Sequence, residues 1–90
     1  MSDRPRYARN DNILFGQSGS DTFMMSAETG DYYALNETAT RVWQVLEQPR
    51  TEAEIVSALV AEYRVEPSRC REEIGPFLAT LVTRDILRTG

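Results

Sequence analysis

The sequence contains no histidine. The commonest general base and metal ligand is therefore missing from any mechanism this chain could run. A single cysteine, Cys70, excludes an internal disulfide and any multi-cysteine metal site. No apolar run approaches the roughly 20 residues that a membrane helix needs. Gly16 and Gly19 match no phosphate-cradling spacing, so there is no glycine-rich nucleotide loop. Basic charge is also short: the formal net charge of −4 gives nucleic acid no electrostatic help. The first ten residues carry three arginines and a proline but no apolar segment, which excludes a secretory signal and predicts a cytoplasmic protein.

What is present is ordinary in amount and informative in order. Ninety residues, 41% apolar and 27% charged, make one small soluble domain with a thin core. Residues 1–10 are polar and predict a flexible N-terminal arm, leaving residues 11–90 as a single domain. Ile13-Leu14-Phe15 reads as a first strand, and Gly16 to Asp21 as a loop by composition. Thr22 to Met25 reads as a second strand. The turn Thr29-Gly30 then releases the chain into a third, Asp31-Tyr32-Tyr33-Ala34-Leu35, whose tyrosines favour an extended, half-buried backbone. Short connections predict an antiparallel meander with the third strand on an edge.

Three helices are expected to follow. Asn36 is placed to cap the first, with Ala39, Val42, Trp43 and Leu46 on one face and Pro49 beyond its end. Thr51 and Glu54 form a capping-box signature for the second, which carries Ile55, Leu59 and Tyr63. Pro67 and Ser68 mark the start of the third, with Ser68 as its cap and Cys70, Ile74, Phe77, Leu78, Leu81 and Val82 at helical spacing. Gly75-Pro76 predicts a kink near Glu72 to Pro76. Ile86-Leu87 is expected to pack back on the core. The fold class is thus α+β: a three-stranded meander followed by three helices.

No catalytic constellation emerges, and no cofactor site. A nucleophilic Ser or Cys lacks a histidine partner. Cys70 lies between Arg69 and Arg71, which would favour a thiolate, but its helical position is that of a small core residue. Glu72-Glu73 and the Glu52, Glu54 pair are explained by a solvated helix surface. The second and third helices resemble a helix-turn-helix, making a winged-helix DNA-binding regulator the alternative reading. Against it, the candidate recognition helix sets Glu72 and Glu73 beside Arg69 and Arg71. The edge strand beside an amphipathic helix instead forms a groove for an extended peptide.

Glu28-Thr29-Gly30-Asp31-Tyr32-Tyr33-Ala34-Leu35-Asn36, then Val42-Trp43-Gln44-Val45-Leu46, Arg50 to Ile55, and Cys70 through Ile74-Gly75-Pro76-Phe77-Leu78 to Ile86-Leu87, resemble the PqqD-like family over roughly residues 11 to 88. The Tyr-Tyr-Ala-Leu-Asn run is most similar to stand-alone members of modified-peptide clusters, lasso-peptide ones included. The resemblance implies a small winged-helix-like domain without catalysis of its own. Such a domain binds the leader segment of a ribosomally made precursor peptide as an extra strand and presents it to a modifying enzyme or leader peptidase. Carried onto this chain, the groove would comprise Asp31, Tyr32, Tyr33, Ala34 and Leu35 on the strand, and Cys70, Glu73, Ile74 and Phe77 on the third helix. No nucleic acid, metal or membrane partner is implied. The unpaired edge also predicts a weak homodimer when no peptide is present.

Overall fold

The computed structural model describes residues 5–90. Two hairpin connections build the first sheet. β2 (Ile13–Ser18) pairs antiparallel with β3 (Asp21–Ser26), and β3 with β4 (Tyr32–Leu35); a further strand, β1 (Arg6–Arg9), precedes them. The first connection is tighter than composition predicts. β2 runs on through Gly16 to Ser18, and Gly19 turns the chain at φ 63°, a left-handed conformation that glycine adopts without steric penalty. Gly30, at φ 78°, does the same between β3 and β4.

Three helices follow: α1 (Glu37–Val45), α2 (Glu52–Tyr63) and α3 (Pro67–Thr83). Asn36 caps α1 by accepting the Ala39 N–H at 3.0 Å. Thr51 and Glu54 complete the capping box of α2 in both directions. α3 departs from expectation at its start. Glu66 is the N-cap and makes no side-chain cap, while Pro67 takes the first helical position and Ser68 lies inside the helix. Helical structure continues without interruption through Gly75-Pro76. Glu72 and Pro76 are both exposed, so the carbonyl deprived of its partner lies on the solvent side.

The arm expected over residues 1–10 includes a strand. Residues 1–4 lie outside the described part of the chain, but Arg6–Arg9 is the central strand of a second sheet. It pairs antiparallel with β5 (Arg50–Thr51) on one side and β6 (Leu87–Thr89) on the other. Arg9 fastens this strand to α1. Its guanidinium donates to the Trp43 carbonyl at 2.6 and 3.1 Å and lies 4.4 Å from the Trp43 ring and 5.1 Å from that of Phe15. Burial pulls its pKa below the ordinary guanidinium value, with Glu47 opposing that shift.

One core joins these layers. Ile13, Met24 and Leu35 enter from the meander, Val42, Trp43 and Leu46 from α1, and Ile55 and Leu59 from α2. Cys70, Ile74, Leu78 and Leu81 come from α3, and Ile86 and Leu87, at 1% exposure each, close it from the C-terminal side. No described helix is long and apolar enough to cross a membrane.

Candidate peptide-binding groove

Backbone polarity makes β4 distinctive. Ala27 N–H donates to the Asn12 carbonyl at 2.8 Å and Ser26 N–H to that of Asp31 at 2.9 Å. Hydrogen-bonded pairs alternate along antiparallel strands. In the observed register, Met24 pairs with Tyr33 and Thr22 with Leu35, so Tyr33 and Leu35 spend their N–H and C=O groups on β3. The N–H and C=O groups of Tyr32 and Ala34 therefore point to the free edge, since β4 is the last strand of its sheet among the described residues.

Side chains follow the same alternation. Leu35 is buried and Tyr33 half-buried against the core, whereas Tyr32 (80% exposed) and Ala34 turn outward. Beside the free edge runs a trough formed with α3 in two adjoining cavities, each of about 320 Å³. One is lined by Leu35, Ala39, Val42, Glu73 and Ile74, the other by Tyr32, Tyr33, Leu81, Arg84 and Ile86. Ala34, Leu35 and Phe77 line both, so Phe77 stands where the two cavities meet.

Of the nine residues named from the sequence, seven line this trough: Tyr32, Tyr33, Ala34, Leu35, Glu73, Ile74 and Phe77. Two do not. Asp31 belongs to the preceding turn, where its carboxylate accepts from Thr29 Oγ1 at 2.9 Å. Cys70, at 5% exposure, is packed in the core one turn before the trough begins. Burial pushes its thiol pKa up, Glu73 adds to the rise, and Arg71 partly opposes it, which is the reverse of an activated thiolate.

Arg84 was not anticipated. Its guanidinium lies 5.8 Å from the centre of the Tyr33 ring at the end of the trough opposite Glu73. The signal for it was helical: positions 73, 77, 80 and 84 repeat at intervals of four, three and four, which places them along one face.

Two other cavities are less suited to an extended chain. A larger one between α1 and α2, about 710 Å³, is lined largely by polar and charged side chains such as Arg41, Gln44, Glu47 and Gln48. Near the free edge of β2, the Arg9 guanidinium already lies against both Phe15 and Trp43. No cluster of three or more His, Cys, Asp or Glu suited to a metal occurs among the described residues.

Known proteins agree with this architecture. The solved structure of TbiB1 in complex with the TbiA(beta) leader peptide superposes with a TM-score of 0.83 at 26% identity, covering 90% of this chain and 94% of that one. A lasso peptide synthetase B1 complexed with the leader peptide shares the fold at TM-score 0.78 and 22% identity, covering 91% and 96% of the two chains. Curated proteins provide no match. The family model described as coenzyme PQQ synthesis protein D matches residues 21–87, and by that match the chain belongs to the PqqD family.

Proposed function

We propose that this protein binds the leader segment of a ribosomally made precursor peptide and presents it to a modifying enzyme or leader peptidase, without catalysing a reaction itself. The observation that carries this reading is the free edge of β4, with the N–H and C=O groups of Tyr32 and Ala34 directed at an apolar trough. A peptide added there gains main-chain hydrogen bonds along the edge and buries alternate side chains against Tyr33, Leu35, Ile74 and Phe77. Each well-buried aliphatic side chain contributes about 1.5–3 kcal/mol before the entropy of ordering the peptide is subtracted. The likeness to TbiB1, solved in complex with a leader peptide, supports leader binding by this chain. Without a peptide, the same edge is open to a second copy of the chain.

Amide exchange tests it directly. Free protein should exchange the Tyr32 and Ala34 amides quickly and the Tyr33 and Leu35 amides slowly. Adding the leader of the precursor peptide encoded beside this chain should slow Tyr32 and Ala34 selectively. Unchanged exchange at both positions under saturating leader would remove β4 as the site.

A further inference from the structure

Glu73 and Arg84 stand at opposite ends of the trough, both exposed and neither in an ion pair among the described residues. Glu73 lies with Leu35 and Asn36 at the C-terminal end of β4, and Arg84 with Tyr32 and Tyr33 at its N-terminal end. The one acidic side chain adjoining Tyr32 in sequence, Asp31, is turned into its own hairpin by Thr29 and lines neither cavity. Between the two charges the trough is lined largely by apolar side chains, so Glu73 and Arg84 are the charged side chains that distinguish its two ends.

We infer that Glu73 and Arg84 set the direction and register of the bound peptide, which is an extended apolar segment with a basic residue on its amino-terminal side and an acidic residue on its carboxyl-terminal side. This rests on the strand-addition reading above. Every strand pairing among the described residues is antiparallel, and that is also the more stable arrangement per residue. An antiparallel peptide starts beside Leu35 and ends beside Tyr32. Its first residues thus meet Glu73 and its last meet Arg84. At a helical rise of about 1.5 Å per residue, the two positions are roughly 16 Å apart along α3. At about 3.4 Å per strand residue, this places the acidic residue about five positions after the basic one. A peptide with its charges reversed meets like charge at both ends, which selects against the wrong direction as well as for the right one.

A displayed library of random 12-residue peptides, selected against the wild-type protein, tests this. Enriched peptides should bind wild type but bind Tyr32→Pro at least tenfold more weakly, and should carry Lys or Arg about five positions before Asp or Glu. Selection against the double variant Glu73→Arg, Arg84→Glu should enrich the inverse order. Peptides chosen on wild type should lose roughly threefold or more in affinity for each charge reversed. Both residues are exposed, and an unchanged circular dichroism spectrum and melting temperature would establish that the double variant is folded. Peptides that depend on Tyr32 yet show no charge order, or the same order on both proteins, would overturn the role of Glu73 and Arg84 and leave strand addition standing. Selected peptides indifferent to Tyr32→Pro, or no enrichment at all, would overturn strand addition and this inference with it.

Discussion

Thr22 Oγ1 donates a hydrogen bond of 2.9 Å to Thr40 Oγ1, with both residues buried. Thr40 Oγ1 in turn donates to the Leu35 carbonyl at 3.1 Å. The middle strand of the meander is thereby tied through α1 to the last residue of the edge strand. Thr40 is both acceptor and donor in this relay, so Thr40→Val strands the buried Thr22 hydroxyl and removes a bond to Leu35. We expect it to cost about 1–3 kcal/mol and to be worse than Thr22→Val. The double variant should cost less than the sum of the singles, since the Thr22 hydroxyl that Thr40→Val alone leaves stranded is then gone. Urea unfolding of the four proteins measures each leg; strict additivity would mean the two hydroxyls do not interact.

Proline substitutions separate edge from ladder. Tyr32→Pro deletes an N–H that points out of the sheet, so the protein should stay folded while leader binding weakens at least tenfold, about 1.4 kcal/mol. Tyr33→Pro deletes an N–H that β3 uses and should lower the melting temperature markedly. Thermal melts and fluorescence anisotropy with labelled leader give both readouts. Equal behaviour of the two variants would contradict the assigned hydrogen-bond alternation.

On the helix side, Phe77 is the selective probe. It lines both cavities while only half-buried, so Phe77→Ala should weaken leader binding by about 2 kcal/mol, near thirtyfold, with a smaller loss of stability. Leu78, fully buried next to it, should show the opposite balance: Leu78→Ala costs about 3–5 kcal/mol of stability and leaves the binding constant of the folded fraction unchanged. Ile74 is a poor substitute for Phe77. At 6% exposure it serves core and trough together, and Ile74→Asp is expected to unfold the chain.

Cys70 should behave as an inert core residue. Cys70→Ala is expected to cost about 1 kcal/mol and to change leader affinity by no more than a few-fold. Because its thiol pKa is raised in the folded state, the native protein keeps this proton at pH values where the unfolded chain, near pH 8.5, has lost it. Stability contributed by Cys70 is therefore complete below that value and declines as pH rises above it. Urea midpoints of wild type and Cys70→Ala should converge between pH 8 and 10, and iodoacetamide should label Cys70 only under denaturing conditions.

Local chemistry explains which features could be foreseen. The caps at Asn36 and Thr51, the turn at Gly30 and the alternation of Tyr32 to Leu35 are each fixed by a few neighbouring residues, and all were legible. β1 was not, because Arg-Tyr-Ala-Arg has no apolar alternation to announce a strand. Its existence depends on partners at Arg50–Thr51 and Leu87–Thr89, far away in sequence. Asp31 and Cys70 were placed in the trough because strand and helix periodicity say which face a residue occupies but not where along the element the trough begins and ends. Arg84 was missed for the related reason that it caps α3, beyond the last apolar residue that defined the helix.

The pairing of Arg6 with Gly90, each donating its N–H to the other's carbonyl at 3.1 Å, brings the first and last strands together at their outer tips. Traction applied through these two residues would load β1 and β6 like the sides of a zip, breaking one rung at a time rather than shearing all of them at once. The second sheet would therefore yield to small forces long before the meander does. A tether at either tip would pull on this seam without straining the edge at Tyr32 and Ala34.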